Sequence, residues 1–301
     1  MNNKKLLPYF IMLLPPLFWS GNFVVGRAVA DQAAPIGLSF WRWFLATLIL
    51  LPFVIRPIWQ YRRIIKQHFW ALFILGVLSI SSFNSLAYIS LQYTTATNAT
   101  LLNSFIPIFI LIISGLFLKE KISHIQVLGV IISLLGVVVI LTRLDRAVIA
   151  TLEINKGDLW MLLAALDWAL YSILLKYLRP TALPPLPLLG VMMIIGTLVL
   201  IPVLMINPFG EEPIRWTPEM IKAIAYIAIF PSIISYLAWN YGIQKLGAAI
   251  GGQYIHLMPL FGALMAVIFL GEKIQLYHLV GGACIALGLW LSIHQHKDNK
   301  T

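Results

Sequence analysis

Ten long apolar segments, separated by short polar or charged patches, run the length of this chain, near residues 7–29, 36–55, 69–91, 96–118, 124–142, 158–177, 186–206, 221–243, 247–270 and 276–293. A helix needs about 20 mostly apolar residues to cross the hydrocarbon layer of a bilayer, so each segment predicts one crossing. Hydrocarbon offers a backbone no hydrogen bonds, which leaves helices and closed β-barrels as the only spanning structures. A barrel strand would alternate in polarity, and runs such as Val127 to Leu141 do not. The expected fold is an all-α integral membrane protein of ten transmembrane helices, with the lipid bilayer as its surroundings.

Composition points the same way. Of 301 residues, 60% are hydrophobic and 11% charged, whereas a soluble domain carries roughly 25% charged residues; a water-soluble enzyme is excluded as the default. The formal charge of +10 gathers in the loops rather than on an aromatic-studded soluble face. No nucleic-acid partner is therefore expected, and the charge reads as orientation in the membrane. With a cytoplasmic N-terminus, the loops on that side hold Lys4, Lys5, Arg56, Arg62, Arg63, Lys66, Lys119, Lys121, Lys176, Arg179, Lys245, Lys297 and Lys300. The opposite loops hold only Arg143, Arg146, Lys156, Arg215, Lys222 and Lys273. Both termini are expected to face the cytoplasm, in a cytoplasmic (inner) membrane.

Lys4 and Lys5, an apolar stretch and Ala28-Val29-Ala30 imitate a cleavable signal peptide. The stretch exceeds the usual length of about 7–15 residues and its core reappears in the second half, so the first helix is expected to be retained. Cys284 is the single cysteine, which leaves neither an intrachain disulfide nor a thiolate metal cluster.

The chain also repeats itself. A shift of 152 positions lays Pro107 on Pro259, Phe109 on Phe261, Phe117-Leu118 on Phe269-Leu270, Glu120-Lys121-Ile122 on Glu272-Lys273-Ile274, and Gly129 and Gly136 on Gly281 and Gly288. A shift of 149 lays Trp19 on Trp168, Arg27 on Lys176 and Pro35 on Pro184. Matched leucines would mean little in so apolar a chain; matched proline, tryptophan, Glu-Lys and paired glycine indicate duplication. The expected units are 1–146 and 147–301. Each holds five spans, an odd number, so the second enters the bilayer upside down relative to the first. Inverted repeats of this kind surround a midplane site in secondary transporters, and access alternates between the two sides.

Several short segments carry a family resemblance: Phe18-Trp19-Ser20-Gly21-Asn22-Phe23-Val24, Arg42 in the second span, Ala99 to Pro107 followed by Leu118-Lys119-Glu120-Lys121, and the counterpart Pro259 to Leu270-Gly271-Glu272-Lys273. In order and duplication they resemble the drug/metabolite transporter superfamily, in particular its EamA-like ten-helix exporters, over essentially the whole chain. The resemblance implies two five-helix repeats around a central cavity and outward movement of amino acids or similar metabolites, by proton exchange or facilitated flow. It does not fix the substrate.

Polar residues inside hydrocarbon point into the bundle or a wet cavity, and helical spacing gives the inward faces. Trp19 and Asn22 in the first span, and Trp168 and Tyr171 in its partner, are three apart and share one face. Asn84 and Tyr88 in the third span are matched by Tyr236 and Asn240, with Trp239 adjoining. The fourth span brings Asn98, Asn103 and Ser104, and the ninth Gln253, Tyr254 and His256. These are the expected substrate-binding residues; the competing reading is that amides and hydroxyls join helices while Trp and Tyr anchor interfaces. His256 offers a group that titrates near neutrality or a plain hydrogen bond within the bundle. Pro107 and Pro259 sit near mid-span, where each ring frees the carbonyl four residues earlier for a cavity or hinge, or simply kinks its helix.

Asp167 is the one acid well inside a predicted span. A carboxylate in hydrocarbon favours its neutral form, as a proton-coupling group requires. Its alternatives are a counter-charge for a substrate amine, a structural pair with Arg42, and exposure to water; the superfamily more often has a small or weakly polar residue before this Trp. Arg42, between Trp41 and Trp43, either attracts a carboxylate, pairs with Asp167, or runs its long stem to the membrane boundary. Glu120 and Glu272 are expected to cap or pair at short connections. Gly129/Gly136 and Gly281/Gly288 give the fifth and tenth spans a narrow side for internal packing or for a homodimer face.

A small-molecule substrate is the expected partner. No metal-ligand spacing, no G-x-S-x-G and no acidic cluster lies in the spans, so no cofactor is expected and catalytic residues are assigned to none. Two other readings stay open. One is a membrane enzyme acting on lipid-like substrates, which would need convergent His, Asp, Glu or Cys near one interface. The other is a passive channel or regulatory subunit. The aromatic lining favours an amino acid with an apolar or aromatic side chain without separating it from a drug, a nucleoside or a precursor metabolite.

Overall fold

The computed structural model describes residues 3–29, 31–119, 122–145, 155–206, 214–270 and 273–298. Its ten spans are α1 (Leu6–Gly26), α2 (Pro35–Gln60), α3 (Phe69–Tyr93), α4 (Ala96–Leu116), α5 (His124–Thr142), α6 (Lys156–Leu178), α7 (Pro185–Ile206), α8 (Pro218–Leu246), α9 (Ala248–Met265) and α10 (Leu276–Ile293). No strand occurs among the described residues. Large apolar side chains such as Phe53, Leu116 and Met205 stay exposed on the outside, and Trp43, Trp168 and Trp239 are buried beside polar groups. A bilayer protein is expected to show this arrangement, because lipid accepts an apolar surface and excludes a polar one.

Local chemistry sets the helix starts. Pro35 opens α2 from the first turn, where its missing N–H costs nothing. Ser123 and Gln126 form a capping box on α5, and Asn155 with Asp158 does the same on α6. Thr95 and Thr217 each accept a bond from the backbone N–H three residues on, at Asn98 and Met220, beginning α4 and α8. α1 breaks between Ile11 and Leu14, where Pro15 and Pro16 have no N–H to continue the ladder.

Four further irregularities lie within the spans. α3 carries a π-helical turn at Val77–Ser82 and α8 one at Ala228–Ile234. α4 breaks at Ser104 and Phe105, just ahead of Pro107, and α9 tightens to a 3-10 turn at Tyr254–His256, just ahead of Pro259. Both prolines therefore sit in the opening turns of new helical segments. The carbonyl that finds a new partner is that of Ser104, one residue beyond the position counted back from Pro107; it receives His256 Nε2 at 2.9 Å.

Pairings of the first five spans with the last five have counterparts when the two sets are exchanged. α3 packs on α6 and α8 on α1; α4 packs on α6 and α9 on α1; α2 runs along α7 and α5 along α10. The last pair is the closest. An added Cβ on Gly136 would meet the Gly281 carbonyl at 2.5 Å, and one on Gly129 would meet that of Gly288 at 2.6 Å. Ser133 Oγ donates to the Ile285 carbonyl at 3.3 Å across the seam. The glycine faces of α5 and α10 thus pack on each other, which is the internal reading.

A stability test follows. Gly136→Val is expected to lower detergent-phase thermal stability by about 2 kcal/mol or more, because the nearest atom is the Gly281 carbonyl oxygen, which cannot yield, with Cys284 Cβ and Ile285 Cγ1 at 2.9 Å behind it. Gly282→Ala is expected to be tolerated, since the atom it meets is the flexible Leu260 Cδ1 at 3.1 Å. Equal unfolding temperatures for the two variants would contradict the close seam.

Glu120, Lys121 and Glu272, expected to cap or pair, lie outside the described residues, as do the side chain of Arg27 and the junction at 146–147.

Candidate functional site

The centre of the bundle is organised around one cation. Arg42, on α2, is 1% exposed and points inward, so it does not reach for the membrane boundary. Nη1 donates to Asn84 Oδ1 at 2.6 Å, to Tyr88 Oη at 3.0 Å and, at 3.5 Å, to Asn22 Oδ1. Nε donates to Ser232 Oγ on α8 at 2.6 Å. The guanidinium also lies 4.9 Å from the Trp43 ring, within cation–π range.

These partners are themselves held. Tyr88 Oη donates onward to Asn22 Oδ1 at 3.0 Å. Asn84 Nδ2 donates to Tyr236 Oη and to the Ser79 carbonyl, each at 3.0 Å, and Tyr236 Oη donates to that same carbonyl at 2.7 Å. Ser232 Oγ donates to the Ile227 carbonyl at 2.8 Å, and Trp19 Nε1 to that of Pro231 at 2.9 Å. Ser79 lies in the π turn of α3 and Pro231 in that of α8. A π turn interrupts the regular i−4 ladder, and here the interruption turns backbone acceptors toward the site.

An aromatic wall closes one side. Trp168 lies with ring centroids 4.6–5.6 Å from Phe83, Tyr171, Trp19, Tyr236 and Trp239. Between this wall and the Arg42 network is a cavity of about 20 Å³ bordered by Trp19, Asn22, Asn84, Tyr88, Asn103, Trp168 and Tyr236. That is room for roughly one water. The structure has no open central chamber here of the kind expected; aromatic and amide side chains fill the centre around this void. A larger recess of about 330 Å³, between α1, α4, α5, α9 and α10, shares Phe23 and Met258 with the cavity and reaches Thr97, Arg143 and His278 at one end of the bundle.

The remaining expected residues divide. Trp239 joins the wall. Tyr171 donates to Asn240 Oδ1 in a buried pair beside Trp168 that does not border the cavity. Gln253, Tyr254 and His256 are buried at the break of α9 and also stand off it; His256 there joins α9 to the broken α4. Asn98 is half-buried in the first turn of α4, where its N–H bonds the Thr95 cap, away from the centre.

Asp167 is 8% exposed, so it is not in water, and its neighbours are Ser82 and the Phe83 backbone on α3. Its Oδ2 has no hydrogen-bond partner. The pair with Arg42 does not form: Asp167 and Trp168 are adjacent on α6, and it is Trp168 whose side chain turns to the cavity.

Sequence reasoning missed Phe23, Phe83 and Met258 at the cavity, and Ser232 on Arg42. An apolar side chain carries no sign of which way it points, and serine is common on both packed and wet helix faces. The clue available was position: Ser232 follows Pro231, a helix breaker in mid-span.

Among the described residues no group of three His, Cys, Asp or Glu side chains stands close enough to hold a metal.

Comparison with known proteins agrees with this architecture. The EamA-like transporter family matches at residues 6–142 and again at 155–293. An uncharacterized transporter of Archaeoglobus fulgidus is 29% identical over 97% of this chain and 98% of its own length. The uncharacterized transporter YyaM of Bacillus subtilis is 28% identical over 95% and 93%. A probable terminal-alkyne amino-acid exporter of Streptantibioticus cattleyicolor is 26% identical over 93% and 91%. A solved crystal structure superposes with a TM-score of 0.75 over 96% of this chain and 98% of that one, at 16% identity, a likeness of fold. With both halves matched and the ten spans in place, this multi-pass membrane protein belongs to the EamA-like transporter family.

Proposed function

We propose that the chain is a secondary transporter that exports small metabolites, amino acids or related compounds, across the cytoplasmic membrane by alternating access. The observation that carries this reading is the buried polar centre. Asn103 Oδ1 and Trp168 Nε1, which border the cavity, are buried with no hydrogen-bond partner, as are Trp239 Nε1 in the aromatic wall and, in the packing around it, Asn240 Nδ2, both side-chain polar atoms of Gln253 and His256 Nδ1. Such groups are costly in a permanently dry core and suit a chamber that takes in water and solute when it opens. A cavity the size of one water argues against an open channel.

The proposed mechanism has two five-helix halves, 1–146 and 147–301, lying antiparallel with both termini cytoplasmic. Support comes from the double family match, the π turns at equivalent places in α3 and α8, and the exchangeable helix pairings. Contacts between residues 152 apart, Asn84 with Tyr236 and Ser104 with His256, are those expected on a two-fold axis between the halves. The amino-acid substrate class draws on the aromatic lining and on the name of the Streptantibioticus relative.

Amino-acid counterflow in proteoliposomes containing only this protein tests the reading; no accelerated exchange for any amino acid would overturn it. Asp167 is proposed to couple transport to protons, because it is the acid buried in mid-span with an oxygen unpartnered. Asp167→Asn is expected to abolish the dependence of exchange on pH. Unchanged pH dependence with full activity would remove Asp167 from the mechanism.

A further inference from the structure

We propose that Arg42 is the anion-recognising residue of the substrate site, and that the site selects compounds bearing a single carboxylate; this deepens the transporter reading and rests on it. An arginine stays protonated in proteins, so its charge at the centre of a membrane bundle demands compensation. The four acceptors around Arg42 are a serine, two asparagines and a tyrosine, all neutral. No carboxylate lies within 4.0 Å of it among the described residues.

The geometry leaves the recognition edge available. Nη1 is occupied by Asn84 and Tyr88, and the hydrogen bonds of Arg42 to described residues all run from Nε and Nη1, none from Nη2. Nε holds only Ser232 Oγ. The Nε–Nη2 edge is one of the forks that a carboxylate accepts with both oxygens. A substrate that takes it displaces Ser232, the arginine's one partner from the second half of the chain.

Charge balance fixes the class. Arg42 is the one ionisable group of permanent charge bordering the cavity, and Asp167 does not border it. With Asp167 protonated, one negative charge neutralises the site and two would overcharge it, which favours a monocarboxylate over a phosphate monoester. Asn103 Oδ1, unpartnered on the same cavity, is an acceptor for a donor on the substrate such as an ammonium group.

The test measures binding by tryptophan fluorescence in the full-length chain in nanodiscs, since Trp19, Trp43 and Trp168 surround the site. The probes are L-phenylalanine, 3-phenylpropanoate and L-phenylalaninamide. Both carboxylates are expected to bind the wild type, and the amide about tenfold more weakly or worse, as loss of a charge-assisted hydrogen bond implies. Arg42→Gln is expected to erase the preference. Ser232→Ala, which frees Nε without touching the charge, is expected to tighten carboxylate binding and decides the matter if Arg42→Gln does not fold.

Absence of carboxylate binding, equal affinity for acid and amide, a preference that survives Arg42→Gln, or weaker carboxylate binding by Ser232→Ala would each overturn the proposal. Counterflow with the same compounds is read separately. Exchange without acid preference overturns the anion site and leaves the transporter reading; acid-selective binding without exchange does the reverse.

Discussion

Replacing Trp168 with alanine is expected to reduce the proposed amino-acid export by more than about tenfold while the protein remains inserted and folded. Trp168 touches five other aromatic rings drawn from α1, α3, α6 and α8. Through it α6 joins the aromatic rings of α1, α3 and α8. Truncating a buried tryptophan costs about 3–5 kcal/mol through lost contacts and an unfilled void. Ten packed spans with closely matched pairings elsewhere are expected to absorb that loss and stay assembled. The wall facing Arg42 is not, because Trp19, Tyr236 and Trp239 all lean on Trp168. Transport from cells expressing the variant, normalised to protein in the membrane, checks this; wild-type export would move Trp168 out of the pathway. Trp59→Ala is the control, since Trp59 is exposed on the outer surface and is expected to leave export unchanged.

The second large effect is expected from Asn84→Asp. Asn84 Oδ1 already accepts from Arg42 Nη1 at 2.6 Å, so the change places a carboxylate against the guanidinium with little change of shape. The new pair supplies permanently the negative charge that a substrate would bring. Charge-assisted hydrogen bonds in a dry site are worth about 1.5–3 kcal/mol each, and substrate would have to compete with that. The oxygen that replaces Asn84 Nδ2 loses the bond Nδ2 now donates to the Ser79 carbonyl, which offsets part of the gain from the new pair. Transport is expected to fall about a hundredfold, with the variant still folded. Asn84→Leu removes the acceptor without replacing the charge and is expected to destabilise instead. A fully active Asn84→Asp variant would show that Arg42 need not be free to meet substrate.

How much of this was legible beforehand varies with the range of the interaction. Trp19, Asn22, Asn84, Tyr88, Asn103, Trp168 and Tyr236 were readable as inward-facing, because polar and amphipathic groups on one helical face have few other places to go in lipid. Asn98 was misplaced by the same rule, since a polar residue in a first helical turn is served by the cap and the headgroup region. Arg42 had three readings, and the pairing with Asp167 failed on a matter of side-chain direction: adjacent residues on α6 point about 100° apart. Gln253 and His256 answer to the break in α9 rather than to the cavity.

The sequence by itself determined the ten helices and membership of a transporter family whose model matches the chain at 6–142 and 155–293. Each of those depends on interactions within a few residues, enforced by a solvent that forbids unpaired backbone. The tertiary structure decided what surrounds Arg42, whose partners lie 20 to 190 positions away. It also decided that packing leaves a central void of about 20 Å³ and that the glycines of α5 and α10 pack on each other. Side-chain partners and packed volume are properties of how helices meet, and hydrophobic periodicity specifies only which face of a helix turns inward.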